Sequence, residues 1–127
     1  MSSVNVRYYL PRLSDRELNG LAWMGGRFVY KRSRKLAVWT INATRIEAVR
    51  RSSPEPLEVT IPELPVGTWS DREVADATNC TWCQAGATES QNLGEFYDAL
   101  LFVLMAESSA RLRGKTNETA RLCHASP

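Results

Sequence analysis

The side chains with the strongest potential for chemistry are three cysteines and a single histidine. Cys80 and Cys83 have the separation of a zinc-binding pair, and Cys123 is followed directly by His124. Zinc prefers thiolate and imidazole ligands, but adjacent side chains diverge and form a poor second half of a tetrahedral site. We therefore expect free cysteines and no cofactor, with a zinc site built from all four residues as the alternative.

No arrangement typical of catalysis accompanies these residues. The sequence has no glycine-rich phosphate loop, no serine elbow and no pair of metal-binding histidines. Its histidine lies near the end of the chain, where ends usually fray. The sequence therefore predicts a binding protein and not an enzyme.

Charge is distributed unevenly along the 127 residues, although the net charge is only +2. Residues 1–53 carry +8, residues 54–110 carry −9 and residues 111–127 carry +3. Segregation of this kind indicates charged partners, or pairing between the two halves of the chain. Both interpretations stay open at the level of sequence.

The main functional hypothesis concerns a basic segment between two runs rich in β-forming residues, 27–30 and 36–41. The segment between them predicts the tip of a β-hairpin. A basic β-ribbon with interleaved aromatic rings can follow a phosphate backbone and stack on bases. We expect a small nucleic-acid-binding regulatory or accessory protein that contacts DNA or RNA there; the alternative is a solvated turn. The candidate residues are Arg27, Lys31, Arg32, Arg34, Lys35, Tyr30 and Trp39.

The acidic half suggests a second function. A helical face rich in carboxylates can dock on a basic partner surface, as expected of a protein-binding inhibitor, adaptor or assembly subunit such as a phage or other mobile element encodes. The candidate partner-binding residues are Asp71, Glu73, Asp76, Glu89 and Glu95. Residues 71–90 also loosely fit a helix-turn-helix, with Asn79 at the turn, but the second helix of that motif would carry no cation for phosphate.

The chain is predicted to be one domain, residues 1–127, with an α+β fold. A small antiparallel sheet with one helix forms a basic half over residues 1–53. A proline-rich joint follows over 54–67, then an acidic helical half over 68–114 and a tail over 115–127. Residues 4–10 alternate in the manner of a strand, and residues 57–61 predict an edge strand inside the joint.

The clearest predicted helix covers residues 92–113, with Asn92 as its cap and Gly114 as its stop. Its middle, residues 99–106, is apolar all round, so we expect a central core helix or the seam of a homo-oligomer. That run is too short to cross a bilayer, and the first residues lack an apolar leader. We therefore expect a cytoplasmic protein without a membrane partner, whether in its own cell or in a host cell.

The tetrapeptide Ser-Asp-Arg-Glu occurs at residues 14–17 and again at 70–73, 56 positions later. A serine followed three residues later by glutamate predicts a capping box, in which each residue bonds the backbone of the other. We interpret the pair as two independently capped helices and not as a duplication, because the segments that follow predict strands in one case and helices in the other.

Overall fold

The computed structural model describes residues 5–30, 33–55 and 59–124, without the side chains of residues 24–30 and 116–124. Four α-helices account for most of it: α1 (Asp15–Tyr30), α2 (Arg34–Ser52), α3 (Asp71–Ala87) and α4 (Gln91–His124). A 3-10 helix precedes each pair, at Val6–Arg12 before α1 and at Val66–Thr68 before α3. The described chain is therefore helical, and the predicted α+β class is wrong.

The predicted basic hairpin is wrong because its second run belongs to α2. Five buried residues of α2 have helical spacing: Leu36, Thr40, Ala43, Thr44 and Glu47. The six-residue window that suggests a strand is too short to reveal this period. Burial against neighbouring helices overrides the β-propensity of individual residues.

Neither of the other predicted strands is present in the described part of the chain. Val6 and Leu10 lie four residues apart, are both buried, and belong to the first 3-10 helix. In the joint, residues 59–65 are irregular, while residues 57–58 of the predicted edge strand lie outside the described residues. The joint is nevertheless anchored, because Ile61 is buried and its carbonyl accepts a bond from Arg7 Nη1 at 3.0 Å.

The helices of the second half are longer than predicted. The α3 helix continues through Asn79, so the segment is not a helix-turn-helix. The cap of α4 is Ser90, whose Oγ accepts from the Leu93 amide at 3.2 Å, and not Asn92. The helix also continues through Gly114, since a glycine costs only about 1 kcal/mol relative to alanine in a helix interior.

Both predicted capping boxes are confirmed. Ser14 Oγ accepts from the Glu17 amide at 3.1 Å, while Glu17 Oε1 accepts from the Ser14 amide at 2.8 Å. Ser70 and Glu73 make the same two bonds at 3.1 and 2.8 Å. Each box satisfies backbone amides that the first turn of a helix leaves without partners.

The segments that follow the two boxes correspond to each other, so the expected difference, strands after the first box and helices after the second, is wrong. Each box begins an antiparallel helical hairpin, α1–α2 or α3–α4. Buried residues in or just before α1 correspond to buried residues 56 positions later, in or just before α3. Buried residues of α2 correspond to buried residues of α4 that lie 60 positions later. The matched pairs include Leu13 with Trp69, Leu18 with Val74, Leu21 with Ala77, Leu36 with Phe96, and Thr44 with Leu104.

One hydrophobic cluster contains residues of both hairpins. The first 3-10 helix contacts α4, and α2 contacts α3. At the helix starts, Ser90 Oγ donates to Glu17 Oε2, and Lys35 Nζ lies 4.0 Å from Glu73 Oε2. Each hairpin thus packs against the other, and their remaining faces carry the candidate surfaces.

Candidate functional site

An arginine clamp closes the first hairpin. The Arg51 guanidinium, near the end of α2, lies 2.8 Å from Asp15 Oδ1 at the start of α1. It also donates to the carbonyls of Leu10 at 3.1 Å and Leu13 at 2.6 Å. Its Nε donates to Glu47 Oε2 at 2.8 Å. One side chain therefore ties together α2, α1 and the 3-10 helix before them.

The second hairpin has an equivalent clamp. Arg111 Nη1 lies 2.9 Å from Asp71 Oδ1, and Nη2 donates to the carbonyls of Val66 at 2.9 Å and Trp69 at 2.7 Å. Its Nε donates to Glu107 Oε1 at 2.9 Å. The two guanidinium groups have matching partners, so the two hairpins are closed by corresponding contacts.

The clamp carboxylates are stabilised as anions. Burial raises the pKa of Glu47, but hydrogen bonds from Arg50 and Arg51 outweigh burial and leave the pKa below its ordinary value. Hydrogen bonds from Lys115 and Arg111 lower the pKa of Asp71. The cations of the two clamps therefore favour the ionised form of both carboxylates.

An open groove runs along the first hairpin between α1 and α2. Its deeper part has a volume of about 460 Å³ and is lined by residues that include Asn19, Ala22, Thr44 and Arg45. These four side chains also line an adjoining opening of about 340 Å³, which Trp23 shares. The Trp23 side chain is 77% exposed, and Arg45 is exposed without an ion pair to any described residue. An aromatic ring and a cation thus flank one groove.

The corresponding groove of the second hairpin is smaller. It has a volume of about 190 Å³ and is lined by Asp71, Val74, Ser108, Arg111, Leu112 and Lys115. Lys115 Nζ lies 2.9 Å from Asp71 Oδ2 across it. The repeat therefore leaves a groove open in one hairpin and narrows it in the other.

The second hairpin instead exposes apolar side chains along α4. Phe102, Met105 and Leu112 are 59, 52 and 65% exposed. Asp98 and Ser109 are exposed on the same helical face. At about 100° per residue the five positions fall within an arc of about 80°. We call this face the α4 stripe: Asp98, Phe102, Met105, Ser109 and Leu112.

The residues predicted to bind nucleic acid are only partly described. Arg34 and Lys35 are exposed in the first turn of α2, where Lys35 lies near Glu73. Trp39 is only 6% exposed, and its Nε1 donates to the Pro62 carbonyl at 3.1 Å. The remaining predicted residues lie outside the described residues or have undescribed side chains: Arg27, Tyr30, Lys31 and Arg32.

Most of the acidic residues predicted to bind a partner have contacts within the chain. Asp76 lies 3.9 Å from a cation of its own helix, and Glu95 Oε2 lies 3.7 Å from Arg12 Nη1. Asp71 belongs to the second clamp, and Glu73 to the second capping box. Glu89 is exposed between α3 and α4. Four of the five acids therefore already have a partner within the chain, and the proposed binding face remains a prediction.

The proposed zinc ligands are also only partly described. Cys80 is buried and Cys83 is exposed on α3, while the side chains of Cys123 and His124 lie outside those described. Among the described residues no group of three or more His, Cys, Asp or Glu side chains could hold a metal ion. The four-residue zinc site remains a prediction.

Sequence reasoning missed the open groove and the α4 stripe. The groove was missed because nothing in the predicted helix around Trp23 distinguishes an exposed ring from a buried one. The stripe was missed because the apolar middle of α4 predicts a core helix or an oligomer seam without showing which of its faces is exposed. A signal is present in the sequence: Phe102, Met105, Ser109 and Leu112 continue one face that the core residues Leu100 and Leu104 do not share. A helical wheel aligned on both hairpins separates the two faces.

No protein family, curated protein or solved structure with significant similarity to this chain was found. Within the described residues no helix is long and apolar enough to cross a membrane.

Proposed function

We propose that this chain is a non-catalytic protein-binding module, with the α4 stripe as its binding surface. The observation that carries this proposal is the exposure of Phe102, Met105 and Leu112 along one helical face. Single exposed apolar side chains are ordinary, but a contiguous apolar patch typically marks an interaction site. Covering the patch with a partner removes apolar surface from water, which favours association.

The first hairpin provides an internal comparison. At a separation of 60, the positions of Phe102, Met105 and Leu112 correspond to Asn42, Arg45 and Ser52. The same helical framework therefore accommodates polar residues at these positions. Because packing does not require apolar side chains there, their presence in α4 supports a role in binding.

Charge pairing within the chain also favours a protein partner. Arg7 lies 3.8 Å from Glu63, Arg12 lies 3.7 Å from Glu95, and Lys35 lies 4.0 Å from Glu73. These contacts join cations of the basic half to acids of residues 54–110 and weaken the field of both. Apolar contact at the stripe is therefore a better basis for binding than a uniform basic or acidic face.

The test is photo-crosslinking in the native cells with benzoylphenylalanine in place of Phe102. A second variant carries the same group at Asn42, the corresponding exposed position of the first hairpin. We expect a protein adduct from position 102 that is absent from position 42. Absence of any protein adduct at position 102 contradicts the proposal.

Nucleic-acid binding is a second candidate, favoured by the open groove of the first hairpin. Trp23 offers an exposed ring for base stacking, and Arg45 offers a cation beside it. Stacking on an aromatic ring contributes about 1–3 kcal/mol per base in single-strand recognition. In this interpretation a single strand lies along the groove, and Arg34 extends the cationic edge toward the hairpin loop.

Fluorescence anisotropy with single-stranded DNA and RNA over a salt series tests this candidate. We expect the Trp23→Ala/Arg45→Ala double variant to bind more weakly and with a shallower salt dependence. The slope should fall in magnitude by about 0.7 for each phosphate that the variant no longer neutralises. The matched control is Asn79→Ala/Val49→Ala, which changes two exposed positions outside the groove and outside the α4 stripe. Equal effects of both double variants, or no salt-dependent binding by the unmodified protein, argue against the candidate.

A further inference from the structure

We propose that the α4 stripe binds the α4 stripe of a second copy of this chain, with the two helices antiparallel. This inference rests on the proposed function and names the partner. The stripe residues 98, 102, 105, 109 and 112 are separated by four, three, four and three positions. Alternating separations of three and four keep a seam facing a partner helix over two heptads.

The residue sizes along the stripe favour one antiparallel register. With the symmetry axis at the level of residue 107, Phe102 of one copy meets Leu112 of the second copy. Met105 then meets the smaller Ser109 of the second copy. Large side chains pack on each other, and the serine leaves room for the long methionine. Both contacts occur twice because the interface is isologous.

Charge along α4 favours the same direction. Asp98 lies near the beginning of the stripe and Arg113 beside its end, and neither has an ion pair with any described residue. In the antiparallel register Asp98 approaches Arg113 of the second copy. A parallel pair would instead bring Asp98 close to Asp98 of the second copy, and like charges at an interface are unfavourable.

The first hairpin explains why α4 and not α2 forms this contact. The corresponding face of α2 carries Arg45 in place of Met105 and Asn42 in place of Phe102. Two copies joined through α2 would bury two arginine side chains without a partner on that face. Burial of an unpaired charge is strongly unfavourable, so this face stays in contact with water.

Sedimentation equilibrium of the full chain over a range of concentrations tests the proposal. We expect a dimer whose dissociation constant rises at least about tenfold in Met105→Arg, because the apolar contact of Met105 with the second copy is replaced by a charge buried without a partner. The matched control is Val49→Arg, on the exposed face of α2. It adds the same charge at an exposed apolar position and should leave the dissociation constant unchanged.

Charge reversal tests the antiparallel direction. Asp98→Arg and Arg113→Asp should each weaken the dimer, and both changes in one chain should restore it. Failure of the double variant to restore the dimer overturns the antiparallel arrangement. Helical circular dichroism, and urea midpoints measured on samples dilute enough to be monomeric, verify that each variant is folded, since the substituted side chains are exposed.

The outcomes also separate this inference from the proposed function. A monomer at every concentration overturns the second copy as partner. If position 102 still crosslinks to a different protein, the protein-binding function stands without the dimer. If it crosslinks to nothing, both are overturned.

Discussion

Arg51 in the first hairpin and Arg111 in the second make corresponding contacts, but the helices around them expose different residues. Outside the clamp, the first hairpin presents Trp23 and Arg45 beside an open groove. The second presents Phe102 and Met105 on a helical face. The comparison shows that the contacts that close a hairpin leave its outer face free to vary, since only the inner contacts determine how the helices pack.

The clamps also differ in burial. Glu47 is completely buried and accepts bonds from two arginines, Arg50 and Arg51. Glu107 is 25% exposed and accepts a bond from Arg111. A charge removed from water depends more strongly on its partners than a charge that water still reaches. We therefore expect the first clamp to contribute more to stability than the second.

The largest expected effect follows from removing the clamp arginines. Arg51→Ala should lower the free energy of unfolding by about 3 kcal/mol, because a buried carboxylate is deprived of one of its partners. Arg111→Ala should lower it clearly less, since water screens the carboxylates that it contacts. Urea unfolding at pH 7 measures both. Equal decreases would show that burial does not distinguish the clamps.

The dependence of folding stability on acid pH provides a second distinction between the two clamps. The pKa of Glu47 is lowered from 4.5 and that of Asp71 from 3.8, so each stabilises the folded state when ionised. The stabilisation is fully present when the pH is above the ordinary pKa of the carboxyl group. It is lost as the pH falls from that ordinary pKa through the lower pKa of the folded state. Glu47→Gln should reduce the stability at pH 7 and flatten its decline in acid, more than Asp71→Asn does.

Urea midpoints measured between pH 7 and pH 3 test this distinction. Glu55→Gln is the control, because Glu55 is an exposed acid without an ion pair to any described residue. A steeper acid decline in Glu47→Gln than in the unmodified protein would contradict the expectation.

The capping boxes should contribute about equally. Ser14→Ala and Ser70→Ala each remove one side-chain bond to the first turn and should cost about 1 kcal/mol. Unfolding experiments on the single and double variants measure the costs and their additivity. Costs that differ by more than about twofold would indicate that the link from Ser90 to Glu17 strengthens the first box beyond the second.

The smallest expected effect concerns Gly20, which lies inside α1 where the second hairpin has Asp76. A Cβ at Gly20 would meet no atom within 4 Å. Gly20→Ala should therefore stabilise the protein by about 0.5–1 kcal/mol, because alanine loses less backbone entropy on folding. Thermal unfolding measures the gain, and destabilisation would show that a neighbour restricts this position.

Local features were predictable from sequence. Both capping boxes involve residues three positions apart, so the tetrapeptide contains all of their side-chain partners. The helix α4 is also predictable, because its apolar residues repeat with helical spacing over several turns. Its ends are not, since a cap at Ser90 and a continuation through Gly114 depend on contacts with other elements.

The wrong strands and the rejected repeat share one cause. Residues 36–41 form strands as readily as helices by propensity, and packing of α2 decides between them. With α2 predicted as a strand, the first hairpin no longer resembles the second. The sequence also contains a signal of the correspondence in the second helices. Glu47 precedes Arg51 by four positions, and Glu107 precedes Arg111 by four positions. This pair therefore recurs after 60 residues, much as the tetrapeptide recurs after 56.

By itself the sequence determined the two capping boxes, the charge asymmetry and the positions that could be repeated. The tertiary structure decided how the charges pair, because Arg51 and Asp15 are 36 residues apart and meet only when α1 and α2 are antiparallel. It also decided which apolar side chains remain exposed. Trp39 and Trp23 are the same residue type, yet one is buried and the other faces water, since exposure depends on neighbours that no local pattern specifies.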